Sequence, residues 1–189
     1  MHTLIITAHP NPDSFSHAIA SRYSDACKTR GYTTETIHLY TTELQMDFLR
    51  FHKQSELKTS DPTRDALQAK ITQADELVFI FPTWWVGVPA ILKNFFDTVF
   101  TSGFAYRYKK GSMFPVKLLK GKKARIFTTC DAIGWMYWLI GNPLRVTIQV
   151  GTLGWCGISV KSYTVFDQMR TTTHLDREKM LSKVTRMVS

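Results

Sequence analysis

The stretch Leu77-Val78-Phe79-Ile80-Phe81-Pro82-Thr83-Trp84-Trp85-Val86-Gly87-Val88-Pro89-Ala90-Ile91-Leu92-Lys93-Asn94-Phe95-Phe96 decides the fold. Its opening is short, apolar and rich in β-branched and aromatic residues, as a strand buried on both faces should be. Pro89 has the fixed φ suited to the start of a helix. Beyond it Ile91, Leu92, Phe95, Phe96, Val99 and Phe100 fall on one stripe, with Lys93, Asn94 and Asp97 on the other, so an amphipathic helix is expected. Between strand and helix lies an aromatic loop. Open α/β sheets bind flat ligands at such carboxyl ends of strands. Tryptophan faces can pack against a ring system while backbone groups address its edge.

The rest of the chain repeats this unit. Strands are expected at Thr3–Ala8, Thr34–Leu39, Glu76–Phe81, Lys123–Thr129 and Ile158–Phe166. Ser14 can cap a helix with the apolar face Phe15, Ala18, Ile19, Tyr23, Ala26 and Cys27, and Gly31 stops it. Asp61-Pro62 starts another, running to about Ala74. Pro143–Leu153 is read as a helix, and Leu44–Phe51 as a short one in the otherwise unassigned span 40–60, next to a polar stretch around Lys53–Thr63. The closing helix has Thr173 as N-cap, Asp176 three residues on, and Met180, Leu181, Val184 and Met187 facing inward. Ser102–Gly121 reads as a partly irregular excursion, and Asp131–Asn142 as a second aromatic loop. Strand–helix alternation implies a parallel sheet covered on both faces by right-handed crossovers. Five strands suit an α/β, flavodoxin-like order 2-1-3-4-5 in one domain spanning 1–189. That order brings the loops His9–Ser16, Pro82–Gly87 and Thr128–Tyr137 to one edge.

The first loop, His9-Pro10-Asn11-Pro12-Asp13-Ser14-Phe15-Ser16, enters a helix N-terminus, where free N–H groups and the helix dipole favour a phosphate. The Ser14 and Ser16 hydroxyls and the His9 ring can add hydrogen bonds. GxGxxG and GxxxxGK[ST] are both missing, which argues against a dinucleotide Rossmann site and a P-loop. A phosphate loop beside a tryptophan loop points to a bound flavin.

The net charge of +9 favours anionic partners, although the densest basic group, Arg107, Lys109, Lys110, Lys117, Lys120, Lys122, Lys123 and Arg125, also reads as a solvated face. No nucleic-acid reader motif accompanies it. Cys27, Cys130 and Cys156 are odd in number and far apart, so a reducing cytoplasm is expected. No apolar run approaches a membrane span, and no signal peptide is visible. The histidines other than His9 (His2, His17, His38, His52 and His174) form no metal motif and read as surface or capping residues, and no metal is expected.

Further motifs occur in an ordered series. Ala8-His9-Pro10 with Ser14-Phe15-Ser16 comes first, followed by Phe81-Pro82-Thr83-Trp84-Trp85, Gly87-Val88-Pro89-Ala90-Ile91-Leu92-Lys93, and Gly103-Phe104-Ala105-Tyr106. Thr128-Thr129, Met136-Tyr137 and Leu153-Gly154-Trp155-Cys156-Gly157 complete it. In this order and spacing the chain resembles the flavodoxin-like NAD(P)H:quinone oxidoreductases, a family that includes modulators of drug activity and potassium-efflux ancillary proteins.

The resemblance implies that His9, Ser14, Phe15, Ser16 and Ala18 hold the flavin phosphates, and that Pro82, Thr83, Trp84, Trp85 and Val86 lie along the ring. It places Thr128, Thr129, Cys130 and Asp131 around the ring's pyrimidine side, where the family usually reads Thr-Thr-Gly-Gly. Losing both glycines reshapes that wall, and Asp131 there is expected to disfavour the reduced anion. Tyr137 aligns with a tyrosine that helps relay a proton. The histidine that some members place after it is missing from Ile140-Gly141-Asn142-Pro143. Phe104 and Tyr106, with Trp85, are implied to line a substrate site across a homodimer interface. The implied cofactor is a flavin, FMN ahead of FAD. NAD(P)H is the implied co-substrate, and a quinone or related electrophile the acceptor of two electrons in ping-pong order. The other reading is a flavin-binding electron carrier, or a regulatory subunit of a membrane transporter whose contact with the bilayer is peripheral.

Overall fold

The structure is a computed structural model and describes residues 1–41, 43, 46–52 and 60–188. Its centre is a parallel sheet of β1 (His2–Thr7), β2 (Thr33–His38), β3 (Glu76–Pro82), β6 (Lys123–Thr129) and β7 (Ser159–Phe166). A two-residue ribbon, β4 (Tyr106–Arg107) and β5 (Val116–Lys117), stands apart from it. The sheet order is β2-β1-β3-β6-β7, or 2-1-3-4-5 when only sheet strands are counted. All four pairings are parallel.

The side-chain period of two in each central strand feeds two cores. Leu4, Ile6, Leu77, Phe79, Phe81, Ala124 and Ile126 point to one face. There they meet α2 (Pro62–Gln73), α3 (Ala90–Val99) and the segment α5 (Pro143–Arg145) with its continuation. Ile5, Val78, Ile80 and Phe127 point to the other face, against α1 (Phe15–Thr29) and α6 (His174–Met187). Burying residues on both sides explains why Leu77–Phe81 shows no polar alternation.

The caps form as the sequence predicts. Ser14 accepts from the His17 N–H, Asp61 from the Arg64 N–H, and Thr173 with Asp176 makes a reciprocal capping box. Leu181 and Val184 are buried on α6, with Met180 and Met187 partly so.

Several expectations change. Asn94 is only 6% exposed, because its amide donates to the Met46 and Asp47 carbonyls of a segment laid over α3. That same segment, 46–51, is irregular rather than helical. Leu44 and Gln45, and the polar stretch 53–59, lie outside the described residues. Arg125 leaves the basic face: it is buried, with Nε 2.9 Å from the Glu76 carboxylate, which also accepts from the Tyr23 hydroxyl at 2.7 Å. The expected helix Pro143–Leu153 widens after its first turn into a π-helix, Val146–Gly154. Gly154 permits this, since a Cβ there would come within 2.8 Å of the Gln149 carbonyl. The second aromatic loop contains a short helix, α4 (Gly134–Leu139). Among the described residues no helix is long and apolar enough to cross a membrane.

Candidate functional site

The sheet order alone sets which loops meet. Past the strand ends the backbone continues the ladder: Ala8 N–H donates to Ile80 O at 3.0 Å, Thr83 N–H to Thr129 O at 2.7 Å, and Cys130 N–H to Phe166 O at 2.9 Å. The loops after β1, β3 and β6 are thereby tied edge to edge. The Thr83 and Thr128 hydroxyls hydrogen-bond at 2.7 Å across two of them. The His9 and Trp84 rings lie 6.5 Å apart across the loops after β1 and β3.

The β3–α3 loop is a tight turn. Trp84 N–H donates to Gly87 O at 3.0 Å, and Gly87 N–H returns to Trp84 O at 2.8 Å. Both residues between them sit at positive φ, Trp85 at 50° and Val86 at 60°. Two-residue turns of this hand favour Asn-Gly, because a Cβ is strained there and a β-branched one more so. The strain costs about 1–2 kcal/mol per residue. Strain of this kind persists at ligand-holding segments. Among the described residues no acceptor meets the Trp85 or Val86 backbone N–H. The Trp85 side chain is fully exposed, and that of Trp84 partly so.

The β1–α1 loop supplies the other half. Ser14 caps α1, and Ser16, in its first turn, is 1% exposed with a hydroxyl that has no hydrogen-bond partner among the described residues. An unmade hydrogen bond in such a place costs about 1–3 kcal/mol. An outside acceptor would relieve it, and the helix dipole makes an anion the favoured one. Phe15 packs inward instead, its ring 6.0 Å from Phe166 with the Arg177 guanidinium above it. It offers the loop only its backbone. Ala18 is half-buried on the same helix.

Two residues read as surface or capping positions belong here. The His17 ring lies 4.7 Å from that of His38, tilted by 39°, and 6.5 Å from that of His9. His17 Nε2 donates to the His9 carbonyl at 3.2 Å, and His38 Nδ1 lies 2.6 Å from the Thr7 hydroxyl. A signal was available: order 2-1-3 puts the carboxyl end of β2, and so His38, beside that of β1. Among the described residues no group of three or more His, Cys, Asp or Glu side chains is arranged to hold a metal.

The β6–α4 side departs from expectation at Asp131. Its carboxylate accepts from Arg170, with Nε at 2.9 Å and the backbone N–H at 3.1 Å, and both residues are exposed. The charge is paired rather than bare. Cys130 is buried, donates its thiol to Ala132 O at 3.3 Å, and lies within hydrogen-bonding reach of Tyr137. Burial first, then Cys130 and Asp131, push the Tyr137 hydroxyl up to about 12. In place of a local cap, Asp167 accepts from the Gly134 N–H at 2.6 Å and anchors α4. A Cβ on residue 134 would press on that carboxylate at 3.0 Å.

Phe104 and Tyr106 are half-buried against the α2–α3 core, with Tyr106 edge-on to Tyr108 at 5.6 Å. Cys156 is buried, which pushes its thiol up to about 11, as a packing residue and not a nucleophile requires.

An orphan hydroxyl at a helix N-terminus beside a strained turn with free N–H groups fits a phosphorylated flat ring. The flavodoxin-like fold family matches residues 1–187. The chain is 34% identical over 180 residues to NAD(P)H dehydrogenase [quinone] 1 of Cavia porcellus, covering 83% of this chain. It spans only 65% of that relative's length. It is 30% identical over 187 residues to an uncharacterized NAD(P)H oxidoreductase of Haemophilus influenzae, covering 96% of this chain and 91% of the relative. Smu.1420 of Streptococcus mutans superposes with a TM-score of 0.87 at 33% identity, over 99% of this chain and 98% of the other. General stress protein 14 of Treponema denticola, solved in complex with FMN, superposes with a TM-score of 0.64 at 25% identity, over 98% of this chain and 94% of the other. The chain belongs to the flavodoxin-like NAD(P)H:quinone oxidoreductase family.

Proposed function

We propose that the protein is a flavin-dependent NAD(P)H oxidoreductase, a single flavin-binding domain that transfers two electrons to quinones or related electrophiles. One juxtaposition carries the reading. The α1 N-terminus, with its unpartnered Ser16 hydroxyl, and the strained Trp84–Gly87 turn share one sheet edge, where the His9 and Trp84 rings lie 6.5 Å apart.

A bound flavin, FMN ahead of FAD, supplies the hydride chemistry. The chain supplies placement and electrostatics. Ser14, Ser16, His9 and the backbone at Phe15 and Ala18 hold the phosphate. Pro82, Thr83, Trp84, Trp85 and Val86 line the ring, with the Trp85 and Val86 N–H groups at its edge. Thr128, Thr129, Cys130 and Asp131 form the opposite wall. Tyr137 keeps its proton and donates a hydrogen bond to charge that develops beside it.

A homodimer completes the site. Trp135, Trp138, Leu139, Ile140, Val146 and Val150 are exposed together on α4 and the following helical segment, the kind of apolar face that association covers. Phe104 and Tyr106 then line the partner's substrate pocket together with Trp85. Three buried, unpaired cysteines fit a reducing cytoplasm.

The test is optical and kinetic. Purified protein should be yellow, bleach anaerobically on NADPH addition, and regain its colour with a soluble benzoquinone. Parallel double-reciprocal lines are expected, since donor and acceptor share one site. A protein that stays colourless with added FMN would overturn the reading, as would intersecting lines for its ping-pong order.

A further inference from the structure

His9 alone would serve a phosphate at the α1 N-terminus, yet the structure sets the His17 ring beside it and the His38 ring beside His17. We propose that His17 and His38 extend the first-turn cradle into a three-imidazole clamp for a phosphate monoester dianion, so that binding of a phosphorylated flavin draws protons onto the cluster. This rests on the flavin reading above and deepens it, by assigning the charge class of the group that is held and a pH dependence of its retention.

Three observations support it. The rings are close: His17 lies 4.7 Å from His38 and 6.5 Å from His9, all three half-buried. Their orientation is fixed by the chain itself. His17 Nε2 must donate to the His9 carbonyl, the Asn11 N–H reaches His9 Nδ1 at 3.1 Å, and His38 Nδ1 is held by Thr7. With Nδ1 engaged, Nε2 of His9 and of His38 is left to meet a ligand. Independently, the Ser16 hydroxyl, one residue before His17, is buried and without a partner.

Charges around the cluster do not neutralise it. The β1–α1 loop carries Asp13, which is exposed. Asp25 on α1 is paired with Lys28 at 3.6 Å, and these two line the open groove beside His17 and His38. On the side of α1 toward α6, Arg22 is paired with Glu178 at 3.3 Å. On β2, Glu35 belongs to the opposite sheet face and binds Lys70. The β3–α3 loop adds Trp84, which has no charge.

In the free protein, burial first and then the neighbouring His17 hold His9 and His38 below the ordinary histidine value, although the Asn11 carbonyl, 3.2 Å from Nδ1, opposes this at His9. His9 and His38 therefore resist charging in the free protein. A dianion among them reverses the sign, because it stabilises each imidazolium. The bound cluster then holds more protons than the free one, so affinity rises as pH falls through neutrality. A phosphate monoester has a second ionisation near 6, and above it presents two charges. Each phosphate of a dinucleotide flavin presents one, so the clamp favours the mononucleotide.

The experiment is a fluorescence titration of apoprotein with FMN, FAD and riboflavin at pH 6.5, 7.5 and 8.5, on wild type and on the double variant His17→Gln/His38→Gln. The FMN dissociation constant is expected to rise about tenfold or more from the lowest to the highest pH in wild type, and to stay nearly flat in the variant. FAD should show a shallower slope and riboflavin none. Unchanged riboflavin affinity in the variant shows that it is folded. Proton uptake on FMN binding, measured calorimetrically in two buffers of different ionisation enthalpy, should be positive in wild type and lost in the variant. An FMN constant independent of pH in wild type, or an equal slope in the variant, overturns the clamp and leaves the flavin reading intact. If neither riboflavin nor FMN binds at any pH, both fall.

Discussion

Trp84 and Gly87 exchange both backbone hydrogen bonds, at 3.0 and 2.8 Å, and so lock Trp85 and Val86 between them at positive φ. Neither residue type suits that backbone. The turn therefore holds a conformation that its own sequence disfavours, and it does so with two N–H groups that no acceptor among the described residues meets. The first prediction tests whether that strain serves binding. Val86→Asn, which tolerates the left-handed region, should raise the stability of the flavin-free protein by about 1 kcal/mol. A urea midpoint that moves up with an unchanged slope would show it. A fall in the midpoint would mean that the Val86 side chain, and not its φ, matters to the turn.

Ser16 gives two signs from one substitution. Its hydroxyl is buried and unpartnered without a ligand. Ser16→Ala removes a desolvated group that has gained nothing, so the flavin-free protein should be unchanged or more stable by up to about 1 kcal/mol. The same change removes a hydrogen bond to a charged phosphate and should weaken FMN binding by about tenfold. Thermal denaturation of apoprotein and a flavin titration read the two effects separately. Loss of stability in the apoprotein would mean that the hydroxyl already has an unseen partner such as water.

Much of this was legible beforehand, for physical reasons. Central strands buried on both faces leave long apolar runs, so Leu77–Phe81 was plain, and caps are local, so Ser14, Asp61 and Thr173 could be named from a few neighbours. What escaped depends on contacts between distant segments. Asn94 reads as polar surface until the segment containing Met46 lies over it. Arg125 reads as part of a basic face until β3 brings Glu76 alongside. His17 and His38 form no motif because their 21-residue separation has meaning only once β2 is set beside β1. The strained turn was hidden as well. Trp85-Val86 carries no turn signature, and the positive φ comes from closure by Trp84 and Gly87.

Tyr137 should behave as a neutral donor across the working range. Its hydroxyl is pushed up to about 12 from an ordinary value near 10, by burial first and then by Cys130 and Asp131. The sign follows: the folded state holds the proton more tightly than the unfolded chain, so this contribution to stability is complete below pH 10 and is lost as pH climbs toward 12. Tyr137→Phe should lower kcat by about 100-fold if the hydroxyl stabilises developing charge, with KM for NAD(P)H little changed. Wild-type kcat should show no alkaline limb from this group below pH 11. A limb between 8 and 10 that disappears in the variant would contradict the pairing with buried Cys130.

The pairing of Asp131 with Arg170 changes what a carboxylate at the family's second glycine position does. With Nε at 2.9 Å and a second bond from the backbone N–H at 3.1 Å, the field that would reach a ring held as proposed is that of a neutral pair. Asp131→Gly should therefore leave the flavin midpoint potential almost where it is. Arg170→Gln should do more, because it uncovers a negative charge beside the site. The reduced anion is then disfavoured, and the midpoint should fall by roughly 10–30 mV, a shift kept small because both groups are exposed to solvent. The double variant should return to the wild-type potential, since no charge is left to uncover. Spectropotentiometric titration of the three variants reads this directly. A large rise in Asp131→Gly alone would show that Arg170 does not screen the carboxylate, and that the charge acts on the flavin as the sequence first suggested.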